Sequence, residues 1–219
     1  RMKRYETVLF DMDGVIVDSM NHHAESWIRV FREFCGLDLS KEDIFRREGM
    51  SGLSSIIDIL EEKRAPVPDD EVLLRLREKK LDYFEKSHID IFPGVEEMLL
   101  YLHSRKVKLG LVTGSLLRSV SHLLPRSLLE LFGTVITTDD ITNGKPHPEP
   151  YLKGMEVLGS AKEETLAVEN APMGVLSAKN AGVDCFAIET TLPEAYLKKA
   201  DRIFKDHRDL LSFFKETYD

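Results

Sequence analysis

The residues 8–19, "VLFDMDGVIVDS", set two carboxylates two positions apart at the end of an apolar run. A surface turn needs one Asp; the pair Asp11 and Asp13 suggests chemistry. Paired acids serve glycosidase-type acid and base work, or a nucleophilic acid working beside a divalent metal. Other groups of the chain decide between these. Thr113, Gly114 and Ser115 follow the apolar run "KLGLV", and Lys145 lies in the loop "DDITNGKPHPEP". Glu169 and Asn170 follow "TLAV". Hydroxyls and main-chain N–H groups ahead of a helix suit phosphate, and a lysine neutralises it as a point charge. A balanced set follows: Asp11 attacks phosphorus, Asp13 protonates the leaving oxygen and then activates water, and Mg²⁺ with Lys145 offsets the charge repulsion.

These groups need a scaffold that brings distant segments together. Short, continuous apolar runs recur at 7–10, 108–113, 134–138, 165–169 and 185–188. Continuity rather than alternation marks strands buried on both faces. Helical patterns separate the later ones: "GVEEMLLYLHSRK", "PEPYLKGMEVLG" and "APMGVLSAKNAG". The alternation predicts an α/β fold with a Rossmann-like parallel sheet. Ligands bind such sheets beyond the carboxyl ends of the strands, where all the groups above fall. Residues 19–91 break the rhythm. "NHHAESWIRVFREF", "GLSSIIDILEEKR" and "DDEVLLRLREKKLDYFEK" read as amphipathic helices with no strand between them. The expected organisation is a core from 1–18 and 92–219, with a small all-helical cap, 19–91, inserted after the first strand as a lid.

"DMDGV", "TGS", "GKPHPEP" and "VENAPMGV", in this order around a helical insertion, resemble the four signatures of the haloacid dehalogenase-like phosphohydrolase superfamily. The resemblance spans nearly the whole chain and is nearest to the β-phosphoglucomutase-like branch. It implies that Asp11 is the nucleophile and Asp13 the general acid/base. It implies that Thr113 and Lys145 hold the phosphoryl group, with Gly114 and Ser115 at the substrate. It places Mg²⁺ on Asp11, the Asp13 carbonyl and the pair Glu169–Asn170. Dehalogenase relatives lack the second acid, so Asp13 disfavours that activity.

Two departures from the pattern bear on the substrate. Most relatives carry an acid where this chain has Asn170, which ligates through a neutral oxygen or could serve as a helix N-cap. The metal site is then one charge short. Glu48, in "FRREGMSG" of the expected cap, could supply it on closure, although a Glu after two Arg is more often a solvated charge. This arrangement resembles inorganic pyrophosphatase members of the branch, which share the Asn, the "EG" and an opening with Met20, His23, Glu25 and Trp27. The second departure is Gly52, near where the mutase carries an arginine for a second phosphate. Lys79 falls where the branch has a cap lysine, and His23 falls where it could tune Asp13. His22 and His23 are adjacent on a helix and do not make a metal pair.

Composition narrows the partners. A net charge of −8 argues against nucleic acid and anionic membranes, and no apolar run approaches the roughly 20 residues of a membrane span. No secretory signal pattern precedes the first strand, and Arg1 ahead of Met2 reads as an added residue. Cys35 and Cys185 lack metal-ligand spacing and read as free thiols in a reducing cytoplasm. The expectation is a cytoplasmic, monomeric, Mg²⁺-dependent phosphohydrolase acting on pyrophosphate or another small phosphate. The alternatives are a sugar-phosphate phosphatase or β-phosphoglucomutase, and a catalytically silent binding protein of the same fold.

Overall fold

The computed structural model describes residues 3–219, so the expected added start, Arg1 with Met2, lies outside the described residues. Six parallel strands form one sheet: β1 (Thr7–Phe10), β2 (Lys108–Val112), β3 (Thr134–Ile136), β4 (Thr165–Glu169), β5 (Asp184–Ile188) and β6 (Arg202–Phe204). Their order is β3-β2-β1-β4-β5-β6, with β1 central. Phe10 pairs with Leu111 on one side and with Val168 on the other. The residues just past β1, β2 and β4 therefore emerge along one edge of the sheet.

The apolar strands are covered on both faces, and side chains alternate between them. Val8 and Phe10 join Leu111, Val168 and Phe186 in one core, whereas Leu9 joins Val112, Ala167 and Cys185 in the other. The helices are α1 (Met20–Val30), α2 (Lys41–Phe45), α3 (Gly52–Glu62), α4 (Asp70–Phe84), α5 (Val95–Ser104), α6 (Leu117–Leu123), α7 (Arg126–Leu129), α8 (Glu149–Leu158), α9 (Pro172–Asn180) and α10 (His207–Tyr218). Met98 and Leu102 of α5 and Leu210 and Phe214 of α10 cover the first face. Tyr151 and Met155 of α8 and Val175 and Ala178 of α9 cover the second.

Between β1 and β2 the chain builds a separate helical unit around Trp27, Phe31, Ile56, Ile59, Leu73 and Leu76. Ser40, Ser51 and Asp69 cap α2, α3 and α4 through side-chain bonds to Asp43 N, Ser54 N and Val72 N, which satisfies N–H groups that have no helical partner. The entering and leaving chains are stitched together: Asp18 N donates to the Asp90 carbonyl (2.8 Å) and Phe92 N to the Ile16 carbonyl (3.0 Å). The unit is thus joined to the sheet at one place, directly behind Asp11 and Asp13.

The third strand is shorter than the run 134–138 suggests. Thr137 accepts a bond from Asp139 N and Asp140 accepts from Thr137 N, which turns the chain into a short 3-10 turn. Among the described residues no helix is long and apolar enough to cross a membrane.

Candidate active site

Asp11, Asp13, Thr113, Lys145, Glu169 and Asn170 are all buried at the carboxyl edge of the sheet. Lys145 is the electrostatic centre. Its ammonium donates to Asp11 Oδ1 (2.8 Å), Glu169 Oε1 (2.7 Å) and the Val112 carbonyl (3.0 Å). Burial opposes its charge, but Asp11 and Glu169 outweigh this and hold its pKa above the ordinary lysine value. Asp11 remains uncomfortable as an anion: burial pushes its pKa up to about 8, opposed by Lys145 and assisted by Glu169 and Asp13.

Asp13 differs because it is solvated by protein groups. Its Oδ1 accepts from Ser19 Oγ (2.6 Å) and His23 Nε2 (2.7 Å), and its Oδ2 accepts from Ser115 Oγ (2.8 Å). Burial alone would raise its pKa, but His23, Ser19 and Ser115 hold it well below the carboxylate range. Lys80 Nζ lies 2.6 Å from His23 Nδ1. An ammonium can only donate, so Nδ1 accepts and Nε2 carries the proton given to Asp13. The imidazole also stacks on Phe84 at 4.0 Å between centroids. Burial lowers the pKa of Lys80 to about 8, and burial with Lys80 lowers that of His23. The chain Lys80–His23–Asp13 runs from α4 through α1 to the loop after β1.

The helical unit reaches the site through its 48–51 loop. A Cβ on Gly114 would lie 2.5 Å from the Gly49 carbonyl oxygen, and one on Gly49 (φ +87°) would lie 2.8 Å from Lys145 Cδ. Both glycines are needed for the loop to seat this closely. Glu48 is half-buried here and shares a cavity with His23, Lys80 and Ser115. Burial, then Asp13 and Asp11, push its carboxyl well above its usual range, while Lys145 and Lys80 pull it down. Thr113 Oγ1 accepts from Ser115 N (3.1 Å), which fixes the turn carrying Thr113, Gly114 and Ser115.

Two expected site residues are placed apart from the others or held by protein groups. Lys79 is exposed, with its nearest anion Asp82 at 4.0 Å; its neighbour Lys80 is the buried lysine that enters the site. One residue on a helix rotates a side chain by about 100°, which separates solvent from site. Glu169, expected at the metal, is engaged by protein donors on both oxygens, with Oε2 accepting from Asn170 N (3.3 Å). It follows Ala167 on the α8 face of the sheet, where Tyr151 Oη and Lys145 both donate to its Oε1. It acts as the counter-ion of Lys145. Asn170 does not cap α9, whose N-cap is Ala171. Ser19, Lys80 and Tyr151 were not anticipated. Lys80 had a readable signal, since it shares the buried stripe of Leu73, Leu76 and Phe84.

The donor set fits a hard divalent cation. Asp11 Oδ2 and Asn170 Oδ1 are buried oxygens with no hydrogen-bond partner among the described residues, an expensive condition unless something else binds them. Asn170 is oriented for this: its Nδ2 donates to Thr191 Oγ1 (2.9 Å), which leaves the carbonyl oxygen free. Gly14 (φ +83°) passes over it so closely that a Cβ would lie 2.0 Å from Asn170 Nδ2. Among the described residues no three His, Cys, Asp or Glu side chains form a ligand cluster. A cation here would therefore depend on the amide oxygen, as oxygen-preferring Mg²⁺ permits.

Comparison with known proteins agrees with this construction. The family profile described as haloacid dehalogenase-like hydrolase matches residues 8–188. Pyrophosphatase PpaX of Oceanobacillus iheyensis is 30% identical over 216 residues, covering 97% of this chain and 98% of the relative. The phosphorylated carbohydrates phosphatase of Thermotoga maritima is 33% identical over 184 residues, 82% of each chain. The crystal structure of β-phosphoglucomutase from Clostridium difficile superposes with a TM-score of 0.84 at 25% identity, covering 98% of this chain and 97% of that one. With the profile spanning strands β1 to β5 and the helical unit, and the buried acids and lysine lying along the carboxyl edge of those strands, this chain belongs to the haloacid dehalogenase-like hydrolase family.

Proposed function

We propose that the protein is a Mg²⁺-dependent phosphohydrolase that works through a phosphorylated Asp11, with inorganic pyrophosphate as the favoured substrate. The observation that carries the reading is the pair of unpartnered oxygens, Asp11 Oδ2 and Asn170 Oδ1, beside a lysine already bound to the other Asp11 oxygen. Asp11, the Asp13 carbonyl and Asn170 would hold the metal, with Glu48 adding charge from the helical unit. Bound there, Mg²⁺ would supply positive charge to the phosphoryl oxygens and to Asp11.

The chain's own groups do the rest. Lys145 lowers the repulsion between the Asp11 carboxylate and the anionic phosphoryl group. Thr113 and Ser115 offer hydroxyls to its oxygens. Asp13 is held as an anion by His23, Ser19 and Ser115 and is the carboxylate placed to accept the proton of the attacking water. A phosphate beside it adds negative charge and competes for Ser115, and both effects raise its proton affinity for the acid step. His23 and Lys80 orient it. The 19–91 unit acts as the cap, and its 48–51 loop shields the phosphoryl-enzyme from premature water.

The pyrophosphatase relative supports the substrate, as do Asn170 and Glu48. The phosphorylated carbohydrates phosphatase and the β-phosphoglucomutase structure favour a second reading, a sugar phosphate as substrate. The free thiols Cys35 and Cys185 fit a cytoplasmic setting, and a monomer is the proposed state. The test is a Mg²⁺ turnover panel of pyrophosphate, glucose 1-phosphate isomers, other sugar phosphates and p-nitrophenyl phosphate. Turnover with pyrophosphate leading is expected, abolished by Asp11→Asn in a protein that stays folded. No turnover of any of these by the parent would overturn the reading.

A further inference from the structure

A cavity of about 70 Å³ lies between the helical unit and the sheet edge, lined by Glu48, Gly52, Arg77, Lys80 and Ser115 among others. A water needs roughly 10–15 Å³ by this measure, so the space admits a phosphate-sized group. Three cations border it, and two are already engaged. Arg47 is buried and paired with Asp58 (2.6 Å) and Glu62 (2.5 Å). Lys80 is bound to His23.

Arg77 is different. Its closest anion is Glu78, at a long 3.4 Å. Its Nε is buried with no hydrogen-bond partner among the described residues, a condition that calls for an acceptor. Its stem lies against Gly52, where a Cβ would sit 3.3 Å from Arg77 Cγ and 3.4 Å from Cδ. The missing side chain at 52 is what gives the arginine this place beside Trp27. A planar fork with spare donors is the group best matched to a phosphate.

We infer that Arg77 is a substrate-binding residue that grips the phosphate left behind when the first is transferred, in substrates that carry two phosphoryl groups. This rests on reading the site as a phosphohydrolase. The transferred phosphoryl group is the one at Asp11, within reach of Lys145, Thr113 and Ser115; the cavity runs from Ser115 to Arg77, so the departing phosphate takes the end toward the helical unit. Because α4 carries both Arg77 and Lys80, the departing phosphate also ties the substrate to the element that holds His23.

The test compares the parent with Arg77→Met, which keeps the stem packed on Gly52, and Arg77→Lys. For each, kcat/KM is measured with pyrophosphate and with p-nitrophenyl phosphate, and methylenediphosphonate binding is measured by calorimetry with Mg²⁺. Arg77→Met is expected to lower the pyrophosphate to p-nitrophenyl phosphate ratio roughly 10–100-fold, chiefly through KM, as loss of charge-assisted hydrogen bonds implies. Methylenediphosphonate should weaken in parallel, and Arg77→Lys should recover part of both. An unchanged ratio with unchanged methylenediphosphonate affinity would overturn the assignment, as would equal loss on both substrates. A parent that turns nothing over would count against the hydrolase reading alone, and the calorimetric comparison would still decide the role of Arg77.

Discussion

Replacing Lys145 by Met removes the only cation among the described residues in hydrogen-bond reach of Asp11, in a place where both are 1–2% exposed. Glu169 would keep the Tyr151 hydroxyl and a weak bond from Asn170 N. Asp11 would keep nothing, because its second oxygen is already without a partner. Breaking one side of a buried ion pair costs about 3–5 kcal/mol. With a urea dependence near 3 kcal/mol/M, the midpoint should fall by about 1–1.7 M. The metal is kept out with EDTA so that no cation substitutes. The pH dependence follows from Asp11, whose folded pKa of about 8 lies above its unfolded value of 3.8. A carboxyl raised in this way lowers stability as pH rises between the two values. Without Lys145 the folded value moves higher still, so parent and variant lose stability in parallel up to about pH 8, and the deficit of the variant should widen only above that pH. Adding Glu169→Gln should recover part of it. A Lys145→Met protein within about 0.5 kcal/mol of the parent at pH 9 would refute the reasoning, because a mutation effect that small belongs to solvated surface.

Glu48→Gln should weaken Mg²⁺ binding and pyrophosphate turnover about tenfold or more, if the cap carboxylate supplies the charge that Asn170 lacks; unchanged turnover would remove Glu48 from the metal. Gly49→Ala places a methyl 2.8 Å from Lys145 Cδ at φ +87°. It should cost about 1–2 kcal/mol in a denaturation curve and up to about 100-fold in turnover through a misplaced 48–51 loop. His207 donates from Nε2 to the Val15 carbonyl (2.6 Å) and stacks on Phe92, and burial lowers its pKa below the ordinary 6.5. Its stabilising contribution is therefore present above about pH 6.5 and lost as pH falls through the lower folded value. Asp206 and Asp18 moderate the shift. In His207→Gln the stability curve should be flatter across that acid range.

Much of the site was legible because strand ends are marked twice, by continuous apolar runs and by the polar residues that stop them. Asp11, Thr113 and Asn170 each follow such a run, and register alone carries them to one edge. What was not legible depended on orientation. Glu169 and Asn170 are neighbours on a strand end, where successive side chains face opposite sides; only the position of Tyr151 on α8 fixes which one meets Lys145. Lys79 and Lys80 differ by one step of a helix, and the stripe Leu73, Leu76, Phe84 that selects Lys80 is blurred by its abundant charges. The short strand β6 has three residues and an exposed Arg202, too little pattern to register. Arg77 became visible only when Gly52 was placed against it.

The central claim is that Asp11 carries the phosphoryl group. Turnover with Mg²⁺ and pyrophosphate can be stopped with acid and the digested protein weighed by mass spectrometry, using Asp13→Asn to slow discharge by water. The account predicts one added phosphoryl group on the peptide containing Asp11, removable by hydroxylamine. Steady turnover by the parent with no such adduct, or an adduct on any other residue, would contradict it.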